Sequence, residues 1–390
     1  MLDYQKLLNS TVQDIKPSGI RKFFDLAEKS GDIISLGVGE PDFPTPWHIR
    51  QAGIKSLEDS KTRYTSNKGL EELRGEISHY MSRRFSLDYA PDNEVIITVG
   101  GSEAIDLALR ALVAPGDEVL IPEPSFVCYQ PLTRLCGGVP VPIRTIADNE
   151  FRLTAEELRA RITSKTKVLV LPFPSNPTGA VMRREHLEEI AEVLRGTNIA
   201  IISDEIYAEL TYGDVPHVSI ASLPDMWERT VVVGGFSKTY SMTGWRLGYV
   251  LAPAPIADQM IKIHQFAIMC APTTAQFAAI DALRSGDPDV QKMALEYDMR
   301  RRLIVDGFNK IGLTCFEPQG AFYVFPSIKS TGLSSTEFCE RLIEEARVAV
   351  VPGDAFGQSG EGYVRASYCY SLKHIKEALK RIGAFVKSLK

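Results

Sequence analysis

Lys238, with Ser237 beside it and Arg246 eight residues on, is the residue of this chain best suited to covalent chemistry. A solvated lysine has an unperturbed pKa of about 10.4 and is a poor nucleophile. Withdrawn from water and set near other cations, it loses its proton and can form an imine with an aldehyde. The Ser237 hydroxyl and the Arg246 guanidinium are what a phosphate needs. The run Val231-Val232-Val233-Gly234-Gly235 precedes them, and a β-branched stretch ending on a glycine pair predicts a buried strand with Lys238 at its exit. Taken alone, the stretch also reads as a surface loop carrying one lysine and one arginine.

Three other runs bring polar groups to comparable positions. Glu94 to Thr98 reads as a strand; Val99-Gly100-Gly101-Ser102-Glu103 turns it into a helix through Leu107, Leu109 and Leu112 that Pro115-Gly116 stops. A glycine turn at a helix N-terminus gathers unpaired N–H groups and suits an anion. No GxxxxGK[ST] or GxGxxG pattern accompanies it, so neither a nucleoside triphosphate nor a dinucleotide is indicated. Lys167 to Leu171 is a further strand, and Pro172-Phe173-Pro174-Ser175-Asn176-Pro177-Thr178-Gly179 holds Asn176 at its carboxyl end. Ile199 to Ser203 leads directly into Asp204-Glu205-Ile206-Tyr207. Ser102, Asn176, Asp204 and Lys238 thus all fall at strand ends, where open α/β sheets bind their ligands.

The elements that must hold these groups follow the same alternation. Ile33 to Pro46 reads as a short apolar strand breaking into a turn rich in glycine and proline, where Gly37 and Gly39 suit either a tight turn or close approach by a small ligand. Helices are expected over 47–60, from the capping box Thr154-Ala155-Glu156-Glu157, and over 185–194, with a strand over 118–121. Apolar strands separated by helices predict an α/β fold with a large, mostly parallel sheet sandwiched by helices. Beyond Pro253 the pattern changes to a long charged helix over 287–311, a half-buried strand over 320–325, a capped helix over 334–346, a strand over 363–368 and a final amphipathic helix, which together suggest a smaller α+β domain. No internal repeat, low-complexity tract or long linker is evident.

With 390 residues, 44% hydrophobic and 24% charged, the chain can bury a large core. Its net charge of -5 and lack of a basic run argue against nucleic acid as a partner. The start, Met1 to Lys6, lacks the order of a signal peptide, and no apolar run is long enough to span a bilayer; a cytoplasmic location is expected. The six cysteines include no CxxC pair and read as buried apolar residues, and the six histidines form no HExxH pattern, so no metal is expected.

Asn176-Pro177-x-Gly179, Asp204-x-x-Tyr207 and Ser237-Lys238, in that order and followed by Arg246 and Arg365, resemble the class I aminotransferases of the pyridoxal-phosphate fold type I superfamily. The resemblance covers essentially the whole chain and includes Gly39-Glu40-Pro41-Asp42-Phe43 and Gly320-Ala321-Phe322-Tyr323. Ser-Gly-Ile-Arg-Lys-Phe at 18–23 and Pro-Ser-Asn-Pro-Thr-Gly at 174–179 look most like the aromatic and N-acetyl-diaminopimelate aminotransferase subgroup. It implies an N-terminal segment (1–45) joining the small domain, a large cofactor-binding domain (46–285) and a small C-terminal domain (286–390).

The resemblance further implies pyridoxal 5'-phosphate held on Lys238, with Asp204 keeping the ring nitrogen protonated and Asn176 and Tyr207 bonded to the ring oxygen. The phosphate would rest on the Gly101-Ser102-Glu103 backbone, with Ser237 and Arg246 as side-chain donors and Tyr64 reaching it from a homodimer partner. Phe126 would stack on the ring. Arg365, with a backbone N–H of Gly39, would take the substrate carboxylate, Asn176 standing beside it; an internal acidic partner for Arg365 is the plainer alternative. The implied reaction moves an amino group between an L-amino acid, with aromatic or N-acetyl-diaminopimelate-like donors favoured and aspartate or alanine in reserve, and 2-oxoglutarate by a ping-pong mechanism. A pyridoxal-phosphate-dependent carbon-sulfur β-lyase is the runner-up, and a ligand-sensing regulator on the same fold a distant third.

Overall fold

The structure, a computed structural model, describes residues 2–17, 19, 32–213 and 216–389. Of the stretch 18–23, only Gly19 lies among them; the rest of that motif is outside the described residues.

A two-residue strand, β1 (Ile34–Ser35), comes first. The main sheet is built from β2 (Val95–Thr98), β3 (Glu118–Glu123), β4 (Val139–Arg144), β5 (Thr166–Leu171), β6 (Ala200–Asp204), β7 (Thr230–Gly235) and β8 (Gly248–Leu251), in the spatial order β2-β8-β7-β6-β5-β3-β4. β3 to β7 pair in parallel, and β8 alone runs antiparallel, between β7 and β2. The α/β class read from the continuous apolar runs holds, and the reason is visible in the packing. Val231 and Val233 face one helical layer together with Ile105 and Ala108 of the helix Gly101–Leu112 and Met260 of the helix Ala254–Ala267. Val232, between them, faces the other layer with Ile77 of the helix Glu71–Phe85 and Ala279 of the helix Thr273–Ser285. A strand buried on both faces cannot alternate apolar with polar. At about 25 cal/mol per Å² of apolar surface, each such valine contributes roughly 1.5–3 kcal/mol.

A second, smaller sheet joins β9 (Tyr323–Val324), β11 (Val351–Pro352) and β12 (Val364–Ser367), antiparallel in the order β11-β12-β9. β1 pairs in parallel with β10 (Val348–Ala349), so the segment before residue 45 is tied to the C-terminal part of the chain. The helices Asp287–Ile311, Ser335–Ala346 and Leu372–Ser388 close this unit around Phe308, Phe322, Phe338 and Ile382.

Several expectations need correction. The stretch 320–325 is fully buried rather than half-buried, and only Tyr323–Val324 pair as strand, because it is packed among Tyr207, Tyr297 and Tyr368. The helix expected over 47–60 ends at Glu58. Of the cysteines, only Cys315, Cys339 and Cys369 are buried; Cys128, Cys136 and Cys270 are half-buried. No helix among the described residues is long and apolar enough to cross a membrane, and no cluster among them has three side chains able to hold a metal.

Candidate active site

The topology collects the polar strand ends at one edge. β2, β5, β6 and β7 all run toward it and deliver Ser102, Asn176, Asp204 and Lys238. β8 runs the other way, so the residues just before it fall at the same edge, and Arg246 lies two positions ahead of Gly248. There a cavity of about 890 Å³ is lined by Gly39, Gly101, Ser102, Phe126, Asn176, Asp204, Tyr207, Ser237, Lys238, Arg246 and Arg365. Glu103 and Tyr64, the two remaining predicted site residues, do not line it.

Lys238 points its amine at the carbonyl of Gly39, which accepts at 2.6 Å. Burial pulls its pKa down from 10.5 to about 8; Arg365 and Arg246 push the same way, against Cys369 and Glu40. The amine therefore gives up its proton far more readily near neutral pH than a solvated lysine does, which is what imine formation requires. Asp204, at the end of β6, is buried. Its Oδ2 accepts from the Tyr129 hydroxyl at 2.7 Å and its Oδ1 from the Ile206 N–H at 3.2 Å. Burial raises its pKa, and these two hydrogen bonds hold it down.

Arg365 sits in β12 with only 2% of its surface exposed. Its Nη1 donates to Asn176 Oδ1 at 2.9 Å and its Nη2 to the Gly37 carbonyl at 2.6 Å, between the rings of Tyr323 and Phe356. Its Nε has no partner, and among the described residues no carboxylate pairs with it. Burial lowers its pKa accordingly. A guanidinium enclosed among neutral acceptors, with one N–H unpaired, has the donors and the charge to bind an anion. Tyr207 and Tyr323 bring their hydroxyls to 3.0 Å of each other, and burial pushes the Tyr323 phenol up to about 12.

The turn at the start of the helix Gly101–Leu112 depends on two glycines. Gly100 has φ +78°, a left-handed conformation costly to a side chain, and a Cβ there would meet Arg246 Nη2 at 2.8 Å. A Cβ on Gly248 would strike the Gly100 and Gly101 backbone. Arg246 thus lies directly over the turn, its Nη1 donating to the Thr243 carbonyl. Ser237 is buried at the cavity wall and Phe126 is half-buried, edge-on to Tyr129. Glu103 turns away, toward the Val99 N–H and His264. Tyr64 is 81% exposed.

Tyr129, Tyr323, Glu40 and Thr243 also line the cavity and were not singled out as site residues from the sequence. Glu40 and Tyr323 stand inside stretches that carried the resemblance. Tyr129 had no such signal, since an aromatic residue at a helix start reads as core.

The chain matches the family Aminotransferase class I and II over residues 31–382. It is 46% identical to an aspartate aminotransferase of Pyrococcus abyssi (strain GE5 / Orsay), over 96% of this chain and 97% of that one. It is 44% identical to aromatic-amino-acid aminotransferase 2 of Thermococcus litoralis, over 98% and 99% of the two chains. The crystal structure of the aromatic aminotransferase from Pyrococcus horikoshii OT3 superposes with a TM-score of 0.90 at 44% identity, covering 94% of this chain and 99% of that one.

Proposed function

The chain belongs to the class I and II aminotransferases, enzymes that use pyridoxal 5'-phosphate, and from that premise we propose that it transfers the amino group of an aromatic or N-acetyl-diaminopimelate-like L-amino acid to 2-oxoglutarate, as a cytoplasmic homodimer. The observation that carries the reading is the convergence of Lys238, Asp204 and Arg365 on one cavity. The side chains there fit the cofactor: an amine with a depressed pKa for its aldehyde, a buried carboxylate for its ring nitrogen, and a glycine turn beneath a guanidinium for its phosphate. When bound, the cofactor supplies the electron sink that makes the substrate Cα–H acidic.

The protein's own groups do the rest. Lys238 would hold the cofactor through its amine, and that amine, when free, would be the base that takes and returns the proton at the substrate's Cα. Asp204 would pair with the ring nitrogen and keep it protonated. Tyr207 and Asn176 would donate to the ring oxygen, and Phe126 would pack on the ring face. Ser237, Arg246 and the backbone of Gly101, Ser102 and Glu103 would bind the phosphate, and Tyr64 of the partner subunit would complete that site. Arg365 takes the substrate carboxylate, next to the Gly39 backbone N–H. The donor leaves as its 2-oxo acid before 2-oxoglutarate enters, so the kinetics are ping-pong.

Two features support the finer points. Among the described residues the cations lining the cavity are Lys238, Arg246 and Arg365, each already assigned, while Ile105, Val127 and Pro172 make the wall beside them largely apolar. An aromatic side chain suits that wall better than a second carboxylate does. Tyr64, Phe266, Ile268 and Met269 are exposed, and the Asn67 side chain bonded to the Met269 carbonyl ties two of these stretches together, as a subunit interface would require.

A panel of phenylalanine, tyrosine, N-acetyl-LL-diaminopimelate, aspartate and alanine with 2-oxoglutarate, read by glutamate formation, tests the proposal. An aromatic donor or N-acetyl-LL-diaminopimelate should give the highest kcat/KM and parallel double-reciprocal lines. Preference for aspartate would refute the donor assignment, and pyruvate release from a cysteine-type substrate without oxo acid would favour the lyase.

A further inference from the structure

We propose that His264 is a positioning residue for the phosphate of the cofactor, acting through Glu103. This rests on the reading above that the phosphate sits on the turn from Gly100 to Glu103.

Two adjacent glycines let that turn approach a ligand closely, and they also leave it with little rigidity of its own. The rigidity comes from Glu103. Its Oε2 accepts the N–H of Val99, the last residue before the glycines, so one carboxylate joins the two ends of the turn. Its other oxygen, Oε1, lies 2.6 Å from Nδ1 of His264, in the helix Ala254–Ala267, 161 residues away in sequence. A carboxylate accepts, so Nδ1 carries the proton and donates it.

The setting of His264 singles it out. Its exposure is 0%, and it sits in the helix that contributes Ala257 and Met260 to the apolar layer over β2 and β8. Its Nε2 is buried there with no partner. A leucine would fill such a place without leaving a polar atom stranded, so the burial of the imidazole is offset, among the described residues, by one side-chain contact. That one contact is the hydrogen bond to Glu103. Through it the helix Ala254–Ala267 fixes the carboxylate, and the carboxylate fixes the spacing of the N–H groups that face the phosphate.

The role predicts a specific loss. In cofactor-free protein, dissociation constants are measured by fluorescence titration for pyridoxal 5'-phosphate and for pyridoxal, which lacks the phosphate. His264→Leu should weaken binding of the phosphorylated form about tenfold, the size of one lost hydrogen bond, and leave pyridoxal unchanged. His264→Asn, which keeps an N–H near the place of Nδ1, should recover most of that preference. An unchanged ratio in His264→Leu, or an equal loss for both compounds, overturns the proposal. Should His264→Leu fail to fold, Glu103→Leu, at a partly exposed position, must show the same selective loss, and an unchanged ratio there overturns it equally. Arg246→Gln separates the two levels. If that variant keeps its preference for the phosphorylated compound, the phosphate site itself has been misread and this proposal falls with it. If Arg246→Gln loses the preference while His264→Leu keeps it, only the positioning role fails.

Discussion

The hydroxyl of Tyr129 donates to the Asp204 carboxylate across 2.7 Å, and both groups are buried. Burial raises the Asp204 pKa, and this hydrogen bond, first among the opposing effects, pulls it back. Tyr129 therefore helps keep Asp204 ionised, the state in which it can hold a proton on the cofactor's ring nitrogen.

Tyr129→Phe removes that restraint and lets the Asp204 pKa rise further. A carboxylate with a higher pKa stays protonated to higher pH, so the acid limb of the kcat/KM profile should move upward in pH. In addition kcat should fall roughly tenfold, one charge-assisted hydrogen bond having been lost. A profile that superimposes on the wild type would remove Tyr129 from this role.

Which parts of the site could be read from the sequence follows from how each residue is placed. Lys238, Asp204 and Asn176 each interrupt or end an apolar run, and Arg365 is a charge inside one, so burial made them conspicuous. Tyr129 and His264 were silent because each looks like an ordinary core residue until its partner is known, 75 and 161 residues away in the chain. The fold divides in the same way. The inner strands announce themselves as β-branched runs, whereas β4 carries Pro140 and Pro142 and passes for a loop; as an edge strand it tolerates both prolines. The helix Thr273–Ser285 is buried over most of its surface and shows no single apolar stripe to give it away.

The depressed pKa of Lys238 has a consequence for the cofactor-free protein. With a folded pKa of about 8 against about 10.4 unfolded, the unfolded chain binds more protons between those values, so stability rises with pH across that window and the penalty is fully present below it. Lys238→Met removes the penalty. Below pH 8 the cofactor-free variant should be more stable than the wild type by about 3 kcal/mol, less whatever the lost hydrogen bond to the Gly39 carbonyl costs. The advantage should fade toward pH 10 in urea unfolding curves, while turnover is abolished. An advantage independent of pH would show that the pKa of the folded amine is not depressed.

Arg365→Lys keeps the charge and loses the planar fork between Tyr323 and Phe356. On the proposed function every α-amino acid would present the same carboxylate to it, so KM should rise for all donors alike, roughly a hundredfold, with kcat much less affected. Steady-state kinetics on two donors of different side chain suffice. A rise confined to one donor would place Arg365 in side-chain recognition, and an unchanged KM would put the carboxylate site elsewhere.

Tyr64 is exposed on the single chain, apart from the cavity, and has a role there only if it belongs to a neighbour's site. Mixing settles this. Lys238→Ala and Tyr64→Ala homodimers should both be crippled, the first in both of its lysines and the second in both of its phosphate sites. After subunit exchange, half the dimers are hybrids, and each hybrid has one site with an intact lysine from one chain and an intact tyrosine from the other. Activity should therefore return to about a quarter of the wild-type level. If Tyr64 instead served its own subunit, each hybrid would hold one site lacking the lysine and one lacking the tyrosine, and mixing would restore nothing.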